Sequence, residues 1–168
     1  MAYLILSRVS SVTILNTPDK NMRTAIMCAI VGGKNEILAL LLKCGADATL
    51  KGPDGMTALH LAAKTGNLRA TQLMLEHLRE AVSVYNLERF LNASDDGGWT
   101  AMVWAAELGN AELVSALLVC GASTNICDSE NNTVLHWATL SDCVETVTLL
   151  LQSGCNLNAQ NVNGDTPL

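Results

Sequence analysis

Three tryptophans, Trp99, Trp104 and Trp137, stand out in a chain of 168 residues that has only three other aromatic side chains. Trp104 and Trp137 are 33 residues apart, and Trp99 lies five residues before Trp104. An indole face attracts a cation by about 0.5–2 kcal/mol, and it also offers apolar contact to methyl groups. If the three indoles lie together, they form a pocket suited to a methylated ammonium ion.

Two carboxylates are placed to complete such a pocket. Glu107 lies three residues after Trp104 and shares its face if the segment is helical. Asp165 lies in a loop after Trp137, from which we expect it to reach over the pocket. A carboxylate pairs with an N–H that is still present on the ammonium group. Mono- and dimethyl-lysine keep such an N–H and trimethyl-lysine does not, so these residues predict a preference for the lower methylation states.

An internal repeat sets the positions of these residues. Five threonines are spaced by 33, 43, 33 and 33 residues: Thr24, Thr57, Thr100, Thr133 and Thr166. Each is followed two positions later by an apolar residue, and small residues come five and six positions later in most copies. We expect each threonine to cap a short helix, and the glycines that recur further along to end helices and turn the chain. The repeating unit is therefore predicted to be two short helices and a loop.

The sequences TALHLAA at Thr57–Ala63 and TVLHWA at Thr133–Ala138 resemble the ankyrin repeat. The resemblance covers Met22 to Leu168. It implies an all-α solenoid of about four antiparallel helix pairs, with hairpin loops that project to one side. We place the repeats at 22–54, 55–97, 98–130 and 131–163, with the start of a further repeat at 164–168.

Three features depart from the regular pattern. Residues 1–21 do not match the repeat, and we expect them to form an N-terminal cap or partial repeat. The second repeat is ten residues too long, and the excess lies within about 78–91, where it is predicted to lengthen the second helix or add a helical turn. The last repeat is truncated three residues into its first helix, which suggests a fragment of a longer protein.

In this frame Trp104 and Trp137 occupy the same slot on neighbouring first helices, a slot that holds Cys28 and Leu61 in the earlier repeats. Packed helices lie about 8–10 Å apart. The two indoles are therefore expected to form facing walls, and Trp99 to close the pocket from the loop side.

A narrower resemblance comes from DDGGWTAMVWAAE, NICDSENNTVLHWA and NVNGDTPL, which together extend from about Asp95 to Leu168. These segments resemble the ankyrin domain of the euchromatic histone-lysine methyltransferase (G9a-like) family. The resemblance implies a nuclear module that reads mono- and dimethylated lysine at the ninth position of the histone H3 tail. The cage residues of that family match Trp99, Trp104, Glu107, Trp137 and Asp165. Asp128 and Glu130, in the loop between the two tryptophan-bearing helices, are expected to contact basic residues of the tail.

Members of that family carry a methyltransferase domain elsewhere in the protein, so the resemblance also implies a catalytic parent. The present sequence has no cysteine-rich zinc motif, no glycine-rich cofactor loop and no nucleophile with a plausible base partner. We therefore expect no catalytic residue, cofactor or metal in it. His60 and His136 occupy the first-helix slot of the repeat and are expected to be structural hydrogen-bonding residues.

The charges are distributed unevenly along the chain. All ten Lys and Arg residues lie at or before Arg89, whereas residues 92–168 contain nine acids and no basic residue. The first part is therefore +3 and the second −9. An acidic half repels nucleic acid and attracts a basic partner, and no apolar run is long enough to span a membrane. The predicted partner is thus a basic peptide. As a fragment, the chain is expected to be a monomer.

Two other hypotheses stay open on the sequence alone. The chain could be a general ankyrin scaffold that binds another protein, with tryptophans that serve only packing. It could also be part of an enzyme, although no catalytic motif supports that within these residues.

Overall fold

The computed structural model describes residues 12–81 and 84–168. They form ten α-helices and one short 3₁₀ turn, Pro53–Gly55, with a single isolated bridge between Ser94 and Thr100. The helices are α1 (Val12–Leu15), α2 (Ala25–Val31), α3 (Asn35–Lys43), α4 (Ala58–Lys64), α5 (Leu68–Ala81), α6 (Val84–Leu91), α7 (Ala101–Glu107), α8 (Ala111–Val119), α9 (Val134–Leu140) and α10 (Val144–Gln152). The predicted all-α class is confirmed.

The recurring threonines begin the first helix of each pair. The Thr24 and Thr100 hydroxyls accept hydrogen bonds from backbone N–H groups in the first turns of α2 and α7. Thr57 and Thr133 form reciprocal capping boxes with the histidines three residues later, at the starts of α4 and α9. A cap of this kind satisfies an N–H group that has no partner within the helix. The predicted caps of these four helices are confirmed.

The helices stack in two rows. The first row is α2, α4, α7 and α9, each packed on the next, and the second row is α3, α5, α8 and α10. Ala62, Ala105 and Ala138 are completely buried in the first row. Their small side chains let neighbouring helices approach closely, and leucines and methionines fill the space between the rows. This arrangement is the ankyrin solenoid that the repeat predicts.

The long second repeat is helical in its extra segment. α5 has 14 residues, whereas α3, α8 and α10 have nine each, and the eight residues of α6 follow it. Leu78, Phe90 and Leu91 are buried. The extra residues therefore both lengthen the second helix and add another, and they contribute apolar side chains to the core.

Only the last part of the expected N-terminal cap, residues 1–21, lies within the described residues, which begin at Val12. Leu15 of α1 is buried, and the Asn16 side chain accepts a hydrogen bond from the Asp47 backbone N–H at 2.8 Å. These two contacts tie the segment to the first repeat. The prediction for residues 1–11 lies outside the described residues.

A carboxylate or amide side chain organises four of the hairpin loops. It stands five residues before the threonine, and one of its oxygens accepts hydrogen bonds from the backbone N–H groups two and four residues later. These side chains belong to Asp19, Asp95, Asp128 and Asn161. The hairpins that precede the tryptophan-bearing helices α7 and α9 thus have the same pattern of hydrogen bonds.

Two successive hairpins touch at Gly98. This residue has a φ of +84°, and a Cβ atom placed on it would lie 2.9 Å from the Asp128 Cα and from the Ser129 nitrogen. The Ser129 N–H also donates a hydrogen bond to the Gly97 carbonyl. Because the contact is between backbones, a side chain at residue 98 must push the next hairpin away.

We expect Gly98→Ala to destabilise the fold more than Gly121→Ala does. Both glycines have positive φ, for which any other residue costs about 1–2 kcal/mol, but Gly121 has nothing within 4 Å of its Cβ position. Overpacking at Gly98 should add roughly 1–3 kcal/mol. Urea unfolding of the two variants measures the difference, and equal losses would contradict the close approach.

Candidate functional site

The three tryptophans lie together, and Trp99 joins the other two. Its ring centroid is 4.6 Å from that of Trp104 and 4.4 Å from that of Trp137, with the ring planes tilted by 55° and 52°. This arrangement differs from the expected one, in which Trp104 and Trp137 face each other and Trp99 closes the side. The reason is the position of Trp99 just before its threonine, which brings its ring into contact with both neighbours.

The ring contacts decide where a cation can lie. A cation bound to an aromatic ring lies over a ring face within about 6 Å of the centroid. Rings whose centroids are 4.4 to 4.6 Å apart touch each other, so no cation fits between Trp99 and either neighbour. All three indoles are half-buried against the core and keep part of their surface open. The cluster can therefore receive a cation on its outward faces.

The hairpin carboxylates fix two of these indoles. The Trp104 Nε1–H donates a hydrogen bond to Asp95 Oδ2, and the Trp137 Nε1–H donates one to Asp128 Oδ2, both at 3.0 Å. In each aspartate the other oxygen holds the hairpin backbone. One side chain thus links the loop to the ring on the following helix, nine residues further along.

This arrangement gives Asp128 a different role from the expected contact with a basic tail. The residue is only 7% exposed, and its carboxylate accepts bonds from the Glu130 and Asn132 backbone, the Asn132 amide and the Trp137 indole. Asp128 is therefore part of the hairpin and unavailable to a ligand. Glu130 is exposed, and its carbonyl accepts a bond from the Val162 N–H in the next hairpin.

His60 and His136 anchor the backbone of two other candidate residues. The Thr57 backbone N–H donates to His60 Nδ1, so the proton of the neutral ring lies on Nε2 and is donated to the Trp99 carbonyl at 3.0 Å. In the same way, His136 Nδ1 accepts from the Thr133 N–H, and its Nε2 donates to the Asp165 carbonyl at 3.2 Å. The predicted structural role of both histidines is confirmed.

The two predicted carboxylates of the pocket are exposed to solvent. Glu107 ends α7 one turn after Trp104, and it forms no ion pair with any described residue. The side chain of Asp165 is also exposed, and its hairpin is held by Asn161 and by His136, the neighbour of Trp137 in the chain. Both carboxylates can therefore approach a ligand without first breaking an ion pair.

Sequence reasoning missed two residues of this site. Asp95 accepts hydrogen bonds from the Trp99 backbone N–H and the Trp104 indole. The sequence pattern that indicates it is the repeated acid or amide five residues before the threonine. Lys64 is the second: its Nζ lies 4.3 Å from the centroid of the Trp104 ring. Lys64 holds in α4 the slot that Glu107 holds in α7, but this register does not show that its side chain reaches the ring on the next helix.

Three further properties of the described residues concern a metal site, a membrane span and a cleft. Within 12–81 and 84–168 no group of three His, Cys, Asp or Glu side chains could hold a metal ion. No helix in the same ranges is long and apolar enough to cross a bilayer. A separate cleft of about 410 Å³ lies beside α6, lined by Lys51, Arg89 and Phe90 among others, and it includes none of the tryptophans.

The buried position of His60 predicts a pH dependence of folding. Burial lowers the pKa of His60 below its ordinary value, and the bond to the Trp99 carbonyl opposes this shift. In the unfolded chain the pKa is about 6.5, so below that pH the unfolded state binds the proton more readily. The contribution of neutral His60 is thus complete above about pH 6.5 and is lost as the pH falls below it.

We expect the free energy of unfolding to decrease from pH 7 to pH 5, with a smaller decrease in the His60→Gln variant. Urea unfolding across this range measures both slopes. His77→Gln, which removes a histidine from α5, is the matched control and should keep the slope of the unchanged protein. An unchanged slope in His60→Gln would exclude this role.

Asp95→Asn should release the Trp104 indole and preserve the hairpin. An amide oxygen can accept the two backbone bonds, as Asn161 shows in its own hairpin, but the amide NH₂ cannot accept the indole N–H. Hydrogen exchange of the Trp104 Nε1–H, followed by NMR, should become faster. Asp128→Asn should instead affect Trp137, and equal acceleration of both indoles in either variant would contradict the pairing.

Comparison with known proteins agrees with the fold. Residues 2–86 and 78–161 match the family model described as ankyrin repeats (3 copies). Neurogenic locus notch homolog protein 1 of Danio rerio is 28% identical over 153 residues, which cover 91% of this chain and 6% of that protein. The ankyrin repeat domain-containing protein SAT10 of Stachybotrys chartarum is 30% identical over 158 residues, covering 94% of this chain and 7% of that protein.

A third relative is the putative palmitoyltransferase ZDHHC13 of Danio rerio, which is 30% identical over 147 residues, covering 86% of this chain and 21% of that protein. The chain thus spans at most about a fifth of the length of these three relatives. None of the three is named as a histone methyltransferase, so the likeness to that family remains a prediction. The fold and the family match both identify a protein-interaction domain. The chain belongs to the ankyrin-repeat family.

Proposed function

We propose that this domain binds mono- and dimethylated lysine, and that its ligand is the ninth-position lysine of the histone H3 tail in the nucleus. The observation that carries the proposal is the cluster of Trp99, Trp104 and Trp137, partly open to solvent and in direct ring contact. In this proposal the domain serves a longer chromatin-regulating protein, a histone-lysine methyltransferase.

The cluster is suited to a methylated ammonium because several indole faces lie close together. Each face contributes cation–π attraction, and the methyl groups gain apolar contact that an unmethylated, strongly hydrated ammonium does not. The hydrogen bonds that Trp104 and Trp137 donate to Asp95 and Asp128 fix the orientation of the two rings before a ligand arrives. Preorganised rings lose less conformational entropy on binding.

The exposed carboxylates of Glu107 and Asp165 supply the methyl-state preference. Either one can accept a hydrogen bond from the N–H of mono- or dimethyl-lysine, and a bond to a charged group is among the stronger ones. Trimethyl-lysine has no N–H to donate. The preference therefore depends on at least one of these carboxylates reaching the ammonium.

The charge distribution supports a basic peptide as the carrier of the lysine. Residues 92–168 contain the tryptophans, nine acidic residues and no Lys or Arg. Glu130 is exposed on the hairpin between α8 and α9. Opposite charges raise the rate at which such a peptide meets the surface, and this effect weakens as salt is added.

Titration with H3-tail peptides tests the proposal. We expect micromolar dissociation constants, about −7 to −8 kcal/mol, for peptides with one or two methyl groups at the ninth-position lysine. Peptides with no methyl group or three should bind more weakly. Isothermal calorimetry measures the series, and equal affinity for the unmethylated peptide would exclude a methyl-lysine site.

Two substitutions test, in the same titration, which residues contact the methylated ammonium. Trp104→Ala should abolish the methyl-dependent part of binding, whereas Leu61→Ala, at the same slot of α4, should leave it intact. Glu107→Gln should narrow the gap between dimethyl and trimethyl peptides, because an amide is uncharged. If that gap does not change, Glu107 does not contact the ammonium.

A second candidate function is a general protein-binding scaffold in which the tryptophans serve only the hairpins. The indole bonds to Asp95 and Asp128 favour this alternative, since they give Trp104 and Trp137 a structural purpose that needs no ligand. Under this alternative, Trp104→Ala lowers the free energy of unfolding and has no methyl-dependent effect on peptide binding.

A further inference from the structure

A cation of the protein itself already lies on the tryptophan cluster. Lys64, the last residue of α4, places its Nζ 4.3 Å from the centroid of the Trp104 ring. α4 packs directly on α7, which carries Trp104. The side chain crosses from one repeat to the next, and its ammonium lies within the range of a cation–π contact.

The ring is the principal contact found for this ammonium. The two salt bridges among the described residues both involve arginines, Arg23 and Arg69, and neither involves Lys64. Glu107 holds the equivalent slot on the neighbouring helix, but no oxygen of it lies within 4.0 Å of the Lys64 ammonium. Lys64 is exposed to solvent, so it can leave the ring without a loss of core packing.

We propose that Lys64 is an internal competitor of the methylated lysine, occupying Trp104 in the free protein and leaving it when the ligand binds. This inference rests on the proposed function of the tryptophan cluster. An unmethylated ammonium and a methylated one make the same kind of contact with an indole face, and the face of Trp104 under Lys64 cannot hold both. The methylated ligand prevails because its methyl groups and the carboxylates add contacts that Lys64 lacks.

Competition of this kind has a distinct signature. Every ligand must displace the same lysine, so the affinity for each methylation state is lowered by the same factor and their order is unchanged. An exposed cation–π contact corresponds to a factor of about two to five. Lys64 therefore sets the affinity of the site and leaves its methyl-state preference to Glu107 and Asp165.

The contact and its displacement are measured directly by NMR. In the free protein the ring current of Trp104 should shift the Lys64 ε-methylene protons upfield of those of the other lysines, and Trp104→Ala should remove the shift. Addition of dimethyl-lysine H3 peptide should return these protons to the ordinary lysine position. If the peptide binds and the shifted signal stays in place, Lys64 is not a competitor.

Substitution tests the effect on affinity. Lys64→Gln should tighten binding of the mono-, di- and trimethyl peptides by the same factor of about two to five, while Lys64→Arg, which keeps a cation, should bind no more tightly than the unchanged protein. Lys43→Gln removes the same charge from the end of α3 and should leave affinity unchanged. Weaker or unchanged binding in Lys64→Gln would overturn competition and assign Lys64 to support of the ring.

The two proposals fail in different ways. If no peptide binds to either the unchanged protein or Lys64→Gln, methyl-lysine reading fails and the competitor role fails with it, whatever the Lys64 signal shows. If methylated peptides bind as proposed but the affinity and the NMR signal do not follow Lys64, only the competitor role is lost.

Discussion

One side chain in the hairpin before each tryptophan-bearing helix holds both the loop and the indole on that helix. Asp95 uses one oxygen to hold the backbone of its turn and the other to hold the Trp104 indole, and Asp128 does the same for Trp137. A charged acceptor forms stronger hydrogen bonds than a neutral one. Loop shape and ring orientation therefore depend on the same carboxylate, through different oxygens.

The histidines connect neighbouring repeats by hydrogen bonds. His60 belongs to the second repeat, yet it fixes the carbonyl of Trp99 at the start of the third, and His136 fixes Asp165 in the same way. In a solenoid each repeat contacts only its neighbours. The position of Trp99 therefore depends on the repeat before it, whereas its ring contacts Trp137 in the repeat after it. The three rings come from two repeats, but their positions also depend on the repeat that precedes them.

The sequence was sufficient to predict the helix pairs, the threonine caps and the proximity of the three tryptophans, because each follows from a position in a fixed period. It was insufficient for contacts that depend on side-chain direction. Trp99 is predicted to close the pocket from the loop side but lies in contact with both other rings. Asp128 is predicted to contact a basic tail but is buried in its hairpin. Lys64 was overlooked because its partner lies 40 residues away on the next helix, where register alone does not show which way a flexible side chain turns.

The contact at Gly98 joins two hairpins through their backbones and uses none of the tryptophan side chains. Successive hairpins meet there backbone to backbone, so this contact between the repeats that carry Trp104 and Trp137 does not involve the side chains of the cluster. The same helical slot holds Cys28, Leu61, Trp104 and Trp137 in four successive repeats. A change of residue type at position 104 or 137 would remove an indole bond to Asp95 or Asp128 but leave the backbone contact at Gly98 in place. The repeats thus present a row of structurally equivalent surface positions whose side chains differ, and two of these positions hold indoles.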